Sequence, residues 1–242
     1  LATIRPGGPA KVGFKMALEF RGAIAKGYEA WFSTIKGRFA DRLEKKVLAG
    51  LVKIRPGDKV LDVGCGTGHF SVFFSELGGT VTGLELSPEM LAEATRLYGN
   101  KGVSFLPGNA YKLPFADRSF DLVTMITVLE LLDDPRKALN EAFRVGKGKV
   151  LIGILNRNGI INWRRQKMGE GIWRQVNFYT LTEVKELLGH DKKISWQGTL
   201  HLPLPATEQA LGWREKIETW LSFFKLPNSS FIGILAEKKV RN

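Results

Sequence analysis

Cysteine and histidine are scarce in this 242-residue chain: there is one Cys, at position 65, and three His, at 69, 190 and 201. A lone thiol can neither close an internal disulfide nor build a multi-thiolate zinc site. With no spaced His/Asp/Glu cluster either, no metal is expected, and the cytoplasm is the expected location. Acids are few beside bases, 24 Asp+Glu against 36 Lys+Arg, which leaves a net charge of +12. That balance favours anionic partners such as nucleic acid, a phospholipid surface or an acidic metabolite. Long apolar runs are missing too. Val150 to Leu155 and Phe231 to Ala236 are each broken by Gly and fall far short of the roughly 20 residues that span a bilayer. Residues 1–15 carry Arg5, Lys11, Lys15 and the Pro/Gly-rich run Pro6 to Pro9, without the apolar core of an export signal. They read as a flexible or vector-derived segment, and 16–242 as a single domain.

What the chain does contain is ordinary for a folded protein: 44% hydrophobic and 25% charged residues, enough to bury a core at this length. Residues 16–58 repeat apolar positions at helical spacing (Ala40, Leu43, Val47, Leu48, Leu51) and close with Pro56-Gly57, so helices lead into the first strand. From Lys59 short β-rich runs alternate with helical ones. The strands expected are Val60 to Val63, Thr80 to Leu84, Val103 to Leu106, Phe120 to Ile126 and Lys149 to Ile154. The helices expected are His69 to Leu77, Pro88 to Tyr98 and Pro135 to Val145, the second with Ser87 as N-cap and Pro88 at N1. Alternation of this kind builds a parallel sheet covered by helices on both faces. Beyond it, Leu181 to Leu188 reads as helix, Lys193 to Leu200 and Ser230 to Lys238 as strands, and Glu208 to Phe224 as a helical segment inside an insertion. The expected fold is α/β, a Rossmann-like seven-stranded, mostly parallel sheet with N-terminal helices. Its C-terminal half would supply a lid from insertions at 155–180 and 201–228. The first insertion holds Arg157, Arg164, Arg165, Lys167 and Arg174 against Glu170, with Trp163 and Trp173 between them.

The segment that points to chemistry is Val60-Leu61-Asp62-Val63-Gly64-Cys65-Gly66-Thr67-Gly68-His69, a strand that runs through three glycines into a helix. Glycines there let backbone approach a ligand. The spacing is G-x-G-x-G, not the G-x-G-x-x-G that dehydrogenases use for a pyrophosphate. A second acid, Glu85, ends the next strand, and Gly108-Asn109-Ala110-Tyr111 precedes the fourth.

In this combination, residues 50 to 155 resemble the class I S-adenosylmethionine-dependent methyltransferases, in particular the branch of the ubiquinone/menaquinone biosynthesis methyltransferases. The resemblance implies S-adenosylmethionine as cofactor and S-adenosylhomocysteine as product. It implies that Asp62, Gly64, Cys65, Gly66 and Gly68 surround the amino acid portion of the cofactor and that Glu85 grips the ribose hydroxyls. Leu86, Met90, Asn109, Ala110 and Tyr111 would hold the adenine, with Asn109 where the family commonly has Asp. Ile126 and Thr127 end the fourth strand beside the cofactor, and Tyr28 would cap its methionyl group. The His that often follows the fourth strand is Leu131 here. A sulfonium methyl is already electrophilic, so positioning carries most of the reaction, and no catalytic base is assigned. His69 reads as a structural group and His201 as an exposed loop residue. The expected acceptor is a small molecule or lipid precursor under the Trp-containing insertions. RNA held by the basic lid and a cofactor-binding module without catalysis are the alternatives. Oligomeric state is left open.

Overall fold

A computed structural model describes residues 23–169, 173 and 176–239. The leading segment 1–15 and the lid residues Glu170 and Arg174 lie outside them. The strands are β1 (Lys59–Val63), β2 (Thr80–Glu85), β3 (Ser104–Pro107), β4 (Leu122–Ile126), β5 (Lys149–Leu155), β6 (Lys192–Thr199) and β7 (Phe231–Lys238). They form one sheet in the order β3-β2-β1-β4-β5-β7-β6. The first five are parallel, while β7 runs antiparallel between β5 and β6. This is the seven-stranded, mostly parallel Rossmann-like fold. The helices are α1 (Ala23–Ser33), α2 (Ile35–Leu51), α3 (His69–Glu76), α4 (Pro88–Tyr98), α5 (Pro135–Val145), α6 (Ile160–Met168), α7 (Leu181–Leu188) and α8 (Leu211–Ser222).

Successive strand residues point to opposite faces, and both faces are buried. Val60 packs with Phe39 and Leu48 of α2 and Phe74 of α3. Its neighbour Leu61 packs on the other side with Leu139 of α5, Val184 of α7 and Ile152. Local chemistry sets the helix starts. The Ser87 hydroxyl accepts the Met90 N–H ahead of Pro88, Thr34 caps α2, and Thr180 with Glu183 forms a capping box on α7. Strand order reverses at β1, between β2 and β4, and in such sheets the crevice beyond the strand carboxyl ends at that reversal is where ligands bind.

Two features depart from expectation. Within 156–180, where the sequence shows little order, α6 forms without an apolar stripe. Its one buried residue is Asn162, whose amide donates to the carbonyls of Asn156 (3.0 Å) and Ser230 (2.7 Å). His201 is not an exposed loop residue: its side chain is 5% exposed and pairs with the fully buried Glu218 of α8. Glu218 accepts the His201 N–H (3.0 Å), the Leu202 N–H (2.8 Å) and His201 Nδ1 (2.9 Å). Burial pushes this carboxyl up, but those hydrogen bonds outweigh it and hold Glu218 below the usual range. The second insertion is thereby locked onto the body. Glu208, Glu215 and Thr219 add bonds to Arg38, Arg42 and Lys46 of α2.

Candidate active site

A cleft of about 320 Å³ lies at the carboxyl ends of β1, β2 and β4. Every residue named above for cofactor binding lines it except Gly68: Tyr28, Asp62, Gly64, Cys65, Gly66, Glu85, Leu86, Met90, Asn109, Ala110, Tyr111, Ile126 and Thr127. Gly68 serves packing instead. It caps α3 at φ 86, and a Cβ there would sit 2.7 Å from the Phe105 ring and 3.2 Å from that of Tyr98.

The glycine loop needs its glycines for two separate reasons. Gly64 has φ 70, and a Cβ on it would meet Val128 at 2.7 Å, so the loop can turn only if this residue stays small. Gly66, at φ 56, has only the Met90 Cε within contact range of such a Cβ, at 3.4 Å, and borders the cleft. The loop hangs from β2: the N–H groups of Gly64 and Cys65 both donate to the Leu84 carbonyl. Cys65 is buried, and burial pushes its thiol well above the usual range, which makes it inert.

Two carboxylates form the polar floor. Asp62 is buried and accepts hydroxyl hydrogens from Thr124 and Ser71, both at 2.7 Å, so it braces α3 and β4 beneath the loop. Burial pushes its pKa up to about 6, against the pull of those two hydrogen bonds. Glu85 ends β2. Its Oε1 accepts the N–H groups of Leu86 and Ser87, each at 2.8 Å, and its Oε2 accepts Gly66 N–H at 3.0 Å. Burial raises its pKa even so. Three fixed backbone donors thus hold this carboxylate at the edge of the cleft and take three of its roughly four lone-pair sites, leaving about one on Oε2 for a ligand. The opposite wall is apolar, with Leu86, Met90 and Ala110. Next to it, Asn109 Oδ1 accepts the Tyr111 N–H at 2.9 Å, leaving one lone pair and the amide NH₂. Thr127 holds left-handed backbone (φ 54) and donates its N–H to Gly153, a sparsely populated conformation for a branched residue that marks a constrained site.

Helix α1 closes the cleft from the third side, and α2 reaches it through the bonds of Asp41 and Lys45 to His69. Tyr28 meets Phe32 edge-on, 5.8 Å between centroids, and Phe32 stacks on His69 at 3.8 Å. Burial and the charges of Glu44, Glu29 and Glu85 push the Tyr28 hydroxyl up to about 12, so it stays protonated and able to donate. Asp41 lies 2.7 Å from His69 Nε2 and Glu29 lies 3.8 Å from Nδ1. Burial opposes charge on His69, but those two acids outweigh it and raise its pKa. Glu29 also accepts the Thr67 hydroxyl, which ties α1 to the glycine loop. The sequence reading missed Phe32, Thr67, Phe70, Leu131, Leu132 and Asp133 in this lining. Phe70 and Thr67 lie inside the recognised motif, whereas nothing local marks Phe32 as a partner for a histidine 37 positions later (69 − 32). Among the described residues, no group of three or more His, Cys, Asp or Glu is placed to hold a metal ion.

Comparison with known proteins agrees with this geometry. The methyltransferase domain family matches residues 61–152. An uncharacterised protein of Methanocaldococcus jannaschii is 30% identical over 168 residues, 68% of this chain and 76% of that protein. A demethylmenaquinone methyltransferase of Paenarthrobacter aurescens is 29% identical over 180 residues, 74% of this chain and 66% of that enzyme. The chain spans about half (47%) of a malonyl-[acyl-carrier protein] O-methyltransferase of Erwinia billingiae, at 39% identity over 121 residues, 49% of this chain. Among solved structures, an S-adenosylmethionine-dependent methyltransferase of Thermotoga maritima, described as a possible histamine N-methyltransferase, superposes with a TM-score of 0.69. It is 26% identical and the alignment covers 88% of this chain and 95% of that one. The chain belongs to the class I S-adenosylmethionine-dependent methyltransferases, within the branch resembling the ubiquinone/menaquinone biosynthesis enzymes.

Proposed function

We propose that the chain methylates a small apolar or lipid-precursor acceptor, with the cleft residues named above holding the cofactor. The single observation that carries this reading is the pairing of one backbone-held carboxylate, Glu85, with a predominantly apolar remainder of the cleft. S-adenosylmethionine, when bound, supplies an electrophilic methyl on sulfur. Glu85, with one acceptor site left, takes a ribose hydroxyl hydrogen, which a carboxylate does better than any neutral side chain. Leu86, Met90 and Ala110 flank the adenine, and Asn109 meets its polar edge with the lone pair and NH₂ left after the Tyr111 bond. Gly66 lets backbone approach the methionyl end, where the Tyr28 hydroxyl donates. Asp62 and Glu85 add negative charge in a water-poor cleft, which favours a cationic occupant.

Phe32, Phe70, Leu131 and Leu132 exclude water and present apolar surface to the acceptor. Arg165 of α6 acts electrostatically on Tyr28 and Glu44, which supports the 155–180 insertion as the one nearer the acceptor, although none of its residues lines the cleft. We assign the chain a positioning role and do not assign His69 as a proton acceptor, because its Nε2 is engaged by both Asp41 (2.7 Å) and Lys45 (2.9 Å). The names of two relatives, one acting on demethylmenaquinone and one on malonyl-[acyl-carrier protein], support a small or carrier-bound acceptor.

The test is transfer of a labelled methyl from S-adenosylmethionine into an extract separated into small-molecule plus lipid, RNA and protein fractions. Label in the first fraction is expected. Label in RNA would make the basic 155–180 segment a nucleic-acid surface, and cofactor binding without label in any fraction would reduce the chain to a binding module.

A further inference from the structure

We propose that the outward face of α8 and the turn after it dock onto the surface of an anionic lipid bilayer. The helix has two unlike faces. Toward the protein it turns Leu211, the buried Glu218, Glu215 and Thr219, all held by core packing or by partners on other elements. Away from it, Trp213, Ile217, Trp220 and Phe224 recur at the three- and four-residue spacing that makes one stripe. They are 53%, 37%, 60% and 54% exposed, and Phe223 beside them is 74% exposed. A contiguous aromatic patch of this kind, left over after its helix is fully packed, marks an interaction surface.

Charge selects the occupant. The three acids of this segment pair with cations on other elements: the buried Glu218 with His201, Glu215 with Arg42 and the exposed Glu208, ahead of the helix, with Arg38, so none is left unpaired beside the stripe. Lys216 and Lys225 are exposed along its side, and the Arg214 guanidinium sits over the Trp213 ring, 5.3 Å from its centroid. Arg214 also bonds the Pro203 carbonyl. Pro203 in turn shares a groove with Lys36 and with Arg164 of α6. On α6 the pattern repeats: Lys167 Nζ lies 4.5 Å from the centroid of the exposed Trp163, next to the exposed Met168.

Rings and aliphatic groups bordered by cations suit a helix lying in the headgroup layer with its apolar face toward the acyl chains. The net charge of +12 draws the chain to a negative bilayer surface. A second copy would bring the same lysines and the same net charge together, and single-stranded nucleic acid has no use for Ile217 at the centre of the stripe. No described helix is long and apolar enough to cross a membrane, so the contact is in plane. The inference stands apart from the identity of the methyl acceptor.

Flotation of the full chain with vesicles of phosphatidylcholine, alone or with about one third phosphatidylglycerol, tests it. Binding to the anionic vesicles is expected, with blue-shifted Trp emission and loss of affinity as salt rises from about 50 to 300 mM. Trp220→Ser with Phe224→Ser should weaken binding by about tenfold or more, and Lys216→Glu with Lys225→Glu by about tenfold. Melting temperature should hold in both, because the replaced side chains are exposed. The proposal is overturned if the wild type ignores anionic vesicles or if both double variants bind as well as it does. It is equally overturned if light scattering shows a dimer that Trp220→Ser dissociates, or if the variants lose RNA rather than vesicle binding.

Discussion

Replacing Glu85 separates a carboxylate that binds ligand from one that merely caps a strand end. In the structure its oxygens already accept three backbone N–H groups, from Gly66, Leu86 and Ser87. If its remaining site accepts a ribose hydroxyl, Glu85→Ala removes a hydrogen bond to a charged acceptor worth about 1.5–3 kcal/mol. That range corresponds to a loss in affinity of roughly 10- to 100-fold. Glu85→Gln is the sharper variant. Its oxygen can keep the Leu86 and Ser87 donors, but its NH₂ then faces the Gly66 N–H, so an intermediate loss is expected. Isothermal calorimetry with S-adenosylhomocysteine reads affinity without turnover, and a melting curve on each variant reads fold. The pH profile supplies a second sign. Because burial raises the Glu85 pKa in the folded state, the stability linked to this group is present at low pH and lost as pH rises through the folded value. Ligand affinity runs the opposite way: it falls as acid protonates the wild-type carboxyl and stays flatter in Glu85→Gln. A folded Glu85→Ala protein that binds within about threefold of wild type would refute the reasoning.

Three other perturbations probe the loop, the insertion and the helical cover. Gly64→Ala should cost the more stability, because the Val128 clash adds to the strain of φ 70, whereas Gly66→Ala, strained at φ 56 but meeting only the Met90 Cε at 3.4 Å, should cost less stability yet lose more cofactor affinity. Calorimetry and thermal denaturation of the pair would have to give that crossed pattern. Glu218→Ala leaves two backbone donors and the His201 ring without their acceptor, so about 3 kcal/mol and roughly 6–12 °C in melting temperature should be lost; a shift below about 1 °C would show the insertion is not anchored there. The His69, Asp41 and Glu29 group has opposed signs. Raised His69 stabilises below its ordinary pKa of 6.5 and stops doing so as pH rises through the folded value. Lowered Asp41 and Glu29 stabilise above their ordinary 3.8 and 4.5 and stop as pH falls through theirs. Protection factors in α1, the exchange rates corrected for the intrinsic pH dependence of amide exchange, should therefore peak between about pH 5 and 6.5 and fall on either side, and His69→Gln should flatten that optimum.

The fold was legible wherever one residue type had to satisfy a local rule. Strands buried on both faces read as short, mostly apolar runs, Ser87-Pro88 marked a helix start, and the glycine loop announced itself because φ 70 and φ 56 exclude most side chains. Most of the cleft followed, since the loop, Glu85 and Asn109 all sit at strand ends that topology brings together. Gly68 needs glycine for a second reason that the motif alone does not reveal: besides its φ, its missing side chain makes room for Phe105 and Tyr98.

What stayed hidden depends on partners distant in sequence. Helix α6 carries no amphipathic signal because Asn162, rather than an apolar stripe, pins it to carbonyls at 156 and 230. His201 looked like any loop histidine because its partner is an acid seventeen positions on, and a Glu inside an aromatic helix reads as solvated. Helix α8 shows the same limit. The pattern predicts 201–228 as a lid over the acceptor, yet none of its residues lines the cleft. Glu218 is buried on His201, Glu215 pairs with Arg42 and the exposed Glu208 with Arg38, which leaves Trp213, Trp220 and Phe224 at the surface. Side-chain direction, which composition does not carry, thus decides whether this segment faces the cleft or the solvent.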